Sequence, residues 1–253
     1  MKVLITGASS GIGKDISRLL VDKYDEFILV ARNQDRLNEL KNELLEKNNN
    51  LKIETISIDL TNRDNCINLF NTHKDVDLLI NNAGFGDYGD FDETSLDKDL
   101  SMIDTNVIAM HILTKLYVKE MVNRNSGHIL NTASIAGFLP GPLMTTYYAT
   151  KNYVVRLSEG IREELRRKKS KVKISILCPG PVKTNFEVEA NVKFNFKGVN
   201  SKYIANYAVK HMNRFYIIPQ FKIKLVRFAT KFISSKRAAK VVYGVQAKRK
   251  KDK

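Results

Sequence analysis

Apolar and polar positions alternate along the chain in blocks. The run Val3-Leu4-Ile5 makes Lys2–Thr6 a strand, and Gly11–Tyr24 follows with helical spacing. Phe27–Ala31 is a continuous apolar run, the pattern of a strand covered on both faces. Asn33 can cap a helix whose Leu37, Leu40, Leu44 and Leu45 recur at helical spacing. The same reading gives strands over Ile53–Asp59 and Val76–Ile80, with a helix over Asn62–Thr72 between them. A long helix is predicted over Leu96–Arg124, a strand over Gly127–Ala133, a helix over Thr145–Lys168, and a strand over Val172–Leu177 that Pro179 stops. Asn185–Asn200 reads as a loop, Ser201 caps a helix to about Arg214, and Phe215–Ile218 supplies a seventh strand.

Regular alternation of strand and helix implies parallel strands joined by helical crossovers. The expected fold is α/β: one doubly wound parallel sheet with helices on both faces. A length of 253 residues suits one such domain and is short for two. The expected division is a catalytic domain over 1–219, with a substrate loop or lid at about 185–214, and a C-terminal extension over 220–253.

Composition is ordinary for a globular chain, with 43% hydrophobic and 27% charged residues. No apolar run approaches the roughly 20 residues of a membrane span. The run after Met1 and Lys2 is too short for a signal peptide, so no secretory leader is expected. Two distant cysteines, Cys66 and Cys178, exclude a disulfide framework or a thiolate zinc site and fit a cytoplasmic location. No metal site is expected. The four histidines lack ligand spacing, and His128, inside a strand, reads as a packed or surface residue rather than a catalyst.

The net charge of +15 is concentrated at one end. Residues 198–253 hold 15 Lys or Arg against one acid, Asp252, leaving the remainder nearly neutral with 27 basic and 26 acidic residues. A basic tail calls for an anionic partner: a membrane surface, a nucleic acid or an acidic protein. Within it, Ile223, Val226, Ala229, Phe232 and Ile233 share a helical face that Leu225 and Phe228 widen, while Lys222, Lys224, Arg227 and Lys231 occupy the polar remainder. Ser234-Ser235 interrupts, and Lys236–Ala247 predicts a second helix. Two readings follow: a helix pair packed on the body or on another subunit, or a basic amphipathic element lying peripherally on an anionic membrane. Nucleic acid is the less favoured partner, since nothing beyond charge points to it.

The first strand-to-helix turn is Thr6-Gly7-Ala8-Ser9-Ser10-Gly11-Ile12-Gly13. Glycines let backbone approach a pyrophosphate, and the helix behind them offers free N–H groups and a positive dipole end. The tip of the second strand has Ala31 then Arg32, and no acid to hold a ribose hydroxyl. A guanidinium there pairs with a 2′-phosphate, aided by the Ser9 hydroxyl, so NADP(H) is expected over NAD(H). Tyr147 and Lys151, four apart on a predicted helix, share a face, and an ammonium near a phenol lowers its pKa. Tyr148, three from Lys151, is the geometric rival.

The TGxxxGxG turn, Asp59, Asn81-Asn82-Ala83-Gly84, Asn106, Ser134, Tyr147 with Lys151, and Pro179-Gly180 with Thr184 occur in order. Together they resemble the classical short-chain dehydrogenase/reductase family over about residues 1–184. The resemblance implies a Rossmann-like sheet of seven strands in the order 3-2-1-4-5-6-7 and a homodimer or homotetramer. It selects Tyr147 as the acid–base and Ser134 as the group bonded to the substrate oxygen. Lys151 would bind the nicotinamide ribose, and Asn106 would hold a relay water. It implies cofactor contacts from Gly7, Ser9, Ser10, Gly11, Ile12 and Gly13, from Asp59 to adenine, and from Asn81, Ala83 and Gly84 along the adenosine. Pro179, Val182 and Thr184 would orient the carboxamide.

Substrate contacts are expected from Ile135–Thr146 and Phe186–Asn200, notably Phe138, Leu139, Met144, Phe186 and Phe194, with Phe85–Gly89 at the border. These apolar residues suit a hydrophobic carbonyl or alcohol. The activity so implied is NADPH-dependent reduction of a carbonyl to a secondary alcohol. A 3-oxoacyl-carrier-protein reductase is the specific rival, and a non-catalytic NADP-sensing protein the second.

Overall fold

The computed structural model describes residues 1–183 and 198–250 of the chain. Its main sheet contains β1 (Lys2–Thr6), β2 (Glu26–Ala31), β3 (Lys52–Ser57), β4 (Leu78–Asn81), β5 (His128–Thr132), β6 (Lys173–Leu177) and β9 (Tyr216–Ile217). All seven are parallel, in the order β3-β2-β1-β4-β5-β6-β9. This is the expected Rossmann-like order. The last strand is the ninth only because two short strands, β7 (Val182–Lys183) and β8 (Val199–Asn200), pair separately beside the sheet.

The helices are α1 (Gly11–Leu19), α2 (Gln34–Lys47), α3 (Arg63–Thr72), α4 (Leu96–Ile103), α5 (Met110–Asn123), α6 (Thr145–Arg167), α7 (Ser201–Lys210), α8 (Phe221–Ala229) and α9 (Ser235–Lys250). Successive side chains of a strand point to opposite faces. Val3, Ile5, Phe27 and Leu29 therefore pack with Ile16 of α1, Leu37, Leu40 and Leu44 of α2, and Ile204 of α7. Leu4, Ile28 and Val30 pack on the other face with Leu69 of α3, Leu113 and Tyr117 of α5, and Leu165 of α6. Two covered faces explain why the strands read as unbroken apolar runs. Val3, Leu4 and Ile5 are all fully buried, each contributing about 1.5–3 kcal/mol.

Several boundaries differ from the sequence reading. α1 ends at Leu19 rather than Tyr24, because the chain turns there to bring Asp25 and Glu26 N–H groups onto the Met1 carbonyl. The stretch read as one helix from Leu96 to Arg124 contains a π-helical segment, Asp104–Ala109, between α4 and α5. Asn200, not Ser201, caps α7: its side chain accepts from the Lys202 N–H, while Ser201 donates to buried Asp15 at 2.6 Å.

The tail forms two helices as expected, but α8 turns differently. Ile223 and Arg227 face the body, the guanidinium 3.5 Å from the Tyr216 ring centroid, whereas Phe228 and Leu225 are exposed. Cys66 and Cys178 are free and buried, and burial pushes their thiols up to about 11 and about 12. Such thiols carry little thiolate at neutral pH.

His128 packs as expected, its Nε2 2.9 Å from Ser175 Oγ, which itself donates to the Met212 carbonyl. Burial, helped by Lys173, pushes His128 down to about 4. The unfolded chain, with a value near about 6.5, then binds the proton more tightly than the folded one. Stability should fall as pH drops from about 6.5 towards 4. His128→Gln should flatten that limb of the stability curve, read by urea unfolding at several pH values. An unchanged slope would assign the acid sensitivity to other groups.

Candidate active site

The carboxyl ends of β1 and β4 are stitched together by side chains. Thr6 Oγ1 accepts from the N–H groups of Asn82 and Ala83 at 3.0 and 3.1 Å, and Asn82 Nδ2 donates to the Gly7 carbonyl at 3.2 Å. Gly7 sits at φ +65°, and a Cβ there would lie 3.0 Å from the Ala83 backbone. A Cβ on Gly13 would come within 2.4 Å of the Gly7 carbonyl oxygen. Only glycine lets α1 approach the strand so closely. Ser10 caps α1 without a side-chain hydrogen bond, so no side chain there claims the first-turn N–H groups and their positive dipole end remains available to an anion.

This turn forms one end of a cavity of about 560 Å³. Gly7, Ser9, Ser10, Gly11 and Ile12 line it beside Ala31, Arg32 and Arg36. Asp59 also lines the cavity, held in a turn by accepting from the Thr61 N–H at 2.9 Å. Ala83, Gly84 and Phe85 run along the floor. Pro179, Gly180 and Val182 line the far side.

Ser134, Tyr147 and Lys151 meet at the opposite end. Ser134, just past β5, caps a short 3-10 turn over Ile135–Phe138. Its Oγ accepts from Ala136 N–H at 3.2 Å and makes a long bond to the Pro179 carbonyl at 3.4 Å. Burial raises the Tyr147 phenol above its ordinary value, and a hydrogen bond with Ser134 works against that rise. Lys151 is buried, with Nζ 5.8 Å from the Tyr147 ring centroid and donating to the Thr132 carbonyl at 3.1 Å. Burial pushes it down to about 8, so it remains an ammonium at neutral pH.

The backbone around these groups is pinned by amides. Asn152 Nδ2 reaches the carbonyls of Ala136, Leu139 and Tyr148 at 2.9–3.0 Å, fixing the 3-10 turn on α6. Asn106, in the π-helical segment, accepts from Phe85 N–H at 3.1 Å and donates to the Phe85 carbonyl and to Thr150 Oγ1. Its side chain braces the Gly84–Phe85 loop; a Cβ on Gly84 would collide with Asn106 Oδ1 at 2.7 Å.

Five expected site residues do not line the cavity. Asn106 is fully buried behind it, and Thr105 lines the wall instead. Asn81 is buried beneath it, donating to Thr114 and Asn131, and Asn82 lines the wall instead. Gly13 lies behind the turn, serving helix packing. Phe138 turns away to pack against Tyr216 and Arg227, because the 3-10 turn rotates it out of the cleft. Leu139 lies beyond the lining, its carbonyl held by Asn152. Met144 does line the cavity. Thr184, Phe186 and Phe194 lie outside the described residues. Among the described residues no group of three His, Cys, Asp or Glu side chains could hold a metal.

Among the lining residues that escape the sequence reading are Arg36 and Gln246. Arg36, one helical turn after Arg32, was legible as a second base beside the same tip. Gln246, from α9, was not. It is buried in the cavity wall beside Met144 and Tyr148, with Nε2 donating to Tyr148 Oη at 2.9 Å and lying 3.7 Å from Met144 Sδ. Tyr88 Oη donates to its carbonyl at 2.8 Å. The extension thus closes part of the cavity wall, and the two adjacent tyrosines meet different partners: Tyr147 meets Ser134, Tyr148 meets Gln246.

The family model for short chain dehydrogenases matches residues 1–194. Dehydrogenase/reductase SDR family member 11 of Gallus gallus is 34% identical over 191 residues, covering 72% of this chain and 75% of that one. An uncharacterized oxidoreductase of Staphylococcus aureus is 32% identical over 185 residues, covering 72% and 78%. Among solved structures, a short-chain dehydrogenase from Sphingobium yanoikuyae in complex with NADPH superposes with a TM-score of 0.83 at 26% identity, covering 91% of this chain and 92% of that one. The chain belongs to the short-chain dehydrogenase/reductase family of oxidoreductases.

Gln246→Ala removes the amide that ties α9 to Tyr148, a loss of about 1 kcal/mol or more for a buried bond. Hydrogen exchange of the α9 amides should quicken by about tenfold while β1 and β4 amides stay protected. Unchanged exchange in α9 would mean that apolar packing alone holds the helix.

Proposed function

We propose that this chain is an NADP(H)-dependent oxidoreductase that reduces a carbonyl to a secondary alcohol on a hydrophobic substrate. The observation that carries the reading is the meeting of Ser134, Tyr147 and Lys151 at one end of a cavity whose other end is a glycine turn with two guanidiniums. The NADPH complex of the Sphingobium yanoikuyae neighbour supports the cofactor class. Gly7, the first turn of α1, Arg32 and Arg36 would hold the phosphates, and Lys151 the nicotinamide ribose. The cofactor, when bound, supplies the hydride.

The protein's part is the proton. Ser134 can exchange its long bond to the Pro179 carbonyl for one to the substrate oxygen. Tyr147 then gives its proton to the developing alkoxide, leaving a phenolate. Burial works against that phenolate, and the buried Lys151 ammonium is the charge that offsets it. Asn106 keeps the Gly84–Phe85 loop against this group, and a relay water there would return the proton to Tyr147 through Lys151.

Met144 and Tyr148 give the substrate side an apolar wall with a polar spot at Gln246. A 3-oxoacyl-carrier-protein reductase remains the second reading, favoured by the basic α8 and α9 beside the cavity, since that carrier is acidic. Leu96, Leu100 and Ile103 are exposed along α4, which supports a homo-oligomer. Residues 1–219 would then be the catalytic domain and 220–253 an extension that completes its pocket.

Binding titrations should show NADPH favoured over NADH by about tenfold or more, from charge pairing with the 2′-phosphate. Arg32→Ala combined with Arg36→Ala should erase the preference. Equal affinities in the unaltered protein would overturn the cofactor assignment.

Tyr147→Phe should bind NADPH normally and lose ketone reduction by at least ~100-fold, the ordinary scale of an acid–base contribution. Tyr148→Phe should keep most activity. The active form has Lys151 protonated, so kcat/KM for reduction should fall as pH rises through about 8. Effects reversed between the two tyrosines, or a flat alkaline limb, would count against these roles.

A further inference from the structure

α8 wears its apolar side chains on the outside. Phe221, Leu225 and Phe228, at positions i, i+4 and i+7, are 70%, 54% and 62% exposed, and Phe232, in the turn that follows the helix, is 76% exposed. They form one stripe, and the rings of Phe228 and Phe232 lie 5.2 Å apart. No residue of α8 is buried. The helix is held from its opposite side. Gln220 Oε1 accepts from the Gly180 N–H at 2.8 Å, Ile223 packs with Cys178 and Ile218, and Arg227 lies on Tyr216. An anchored helix with an uncovered aromatic stripe marks an interaction surface.

Its surroundings say what covers it. Phe221–Lys250 contains ten Lys or Arg and no Asp or Glu. Lys222 and Lys231 flank the stripe and are exposed. A second copy would set two such patches face to face and meet like-charge repulsion. A nucleic acid would take the charges but leave Leu225 and Val226 in water. An anionic bilayer accepts both: aromatic and aliphatic side chains enter the acyl boundary while ammonium groups stay at the phosphates. Among the described residues no helix is long and apolar enough to cross a membrane, so such contact lies in the interface plane.

We propose that the α8–α9 extension docks this protein peripherally on an anionic lipid surface through the Phe221–Phe232 stripe. The same extension reaches the cavity twice, through Gln220 on Gly180 and through Gln246 on Tyr148. Docking therefore sets the substrate side of the cavity beside the bilayer, where a lipophilic carbonyl would be concentrated. The docking surface itself does not depend on which reaction the cavity performs.

The test uses the full chain with vesicles of phosphatidylcholine alone or mixed with phosphatidylglycerol, read by sedimentation. Binding to the mixed vesicles should exceed that to neutral ones by about tenfold, and should weaken as salt rises from about 0.1 M to about 0.5 M. Phe228→Glu with Phe232→Glu should lose that binding, and Lys222→Glu with Lys231→Glu should lose its anionic preference. Thermal unfolding and NADPH titration of both variants show whether fold and cofactor site are intact. These side chains are exposed and outside the cavity, so both readouts should match the parent. Equal binding to the two vesicle types, or none, overturns the proposal. So does light scattering that shows an oligomer which Phe228→Glu dissociates, because a second copy then owns the stripe. Vesicle-independent capture of an acidic acyl-carrier protein that the charge variants abolish overturns it too.

Discussion

β1 and β4 lie side by side, yet their chains leave in opposite directions. β1 feeds α1, which packs with α2 and α7 on one face; β4 leads towards α5, which packs with α3 on the other. No crossover can bridge the gap between their carboxyl ends, so the sheet opens a crevice there. The Thr6 hydroxyl and the Asn82 amide close the bottom of that crevice with backbone hydrogen bonds, Gly7 leaves out a Cβ that would press on the Ala83 backbone, and Gly13 lets α1 pack close behind the turn. The site is thus what remains when a parallel sheet reverses its strand order with the fewest side chains at the switch.

The chemical end carries the cost of the design. A phenol and an ammonium are both buried where burial disfavours their charged forms. They persist because stiff elements surround them: α6 presents both from one face, β5 supplies the Thr132 carbonyl to the ammonium, and Asn106 and Asn152 lock the adjoining loops. Local rigidity holds this unfavourable pair in place, since neither group can relax away without breaking bonds elsewhere.

The parts of this arrangement that were legible in sequence are those set by short-range rules. Apolar runs and helix caps give all seven main strands and their order follows from the family resemblance. The glycine turn and the Tyr147–Lys151 spacing locate both ends of the cavity. What was not legible depends on rotation about an element. Asn81 and Asn82 are neighbours, and the end of β4 between them decides which is buried and which lines the wall. Phe138 looked like a substrate residue until the 3-10 turn carried it round to Tyr216. Gln246 meets Tyr148 across 98 positions, and no local pattern encodes a contact of that reach.

The tail shows most clearly why polarity alone misplaces a helix. The packing reading of the tail places its hydrophobic face on the body and its basic residues in water. Instead, Arg227 goes inward because its planar guanidinium stacks on Tyr216 and Phe138 at 3.5 and 5.0 Å, a contact that a more strongly hydrated lysine ammonium makes less well. Ile223, one turn earlier, follows it to the body. With that register fixed, Phe221, Leu225 and Phe228 have only solvent to face. The exposed stripe therefore follows from a packing choice made by one arginine, and the same choice brings Gln220 to Gly180 at the edge of the cavity.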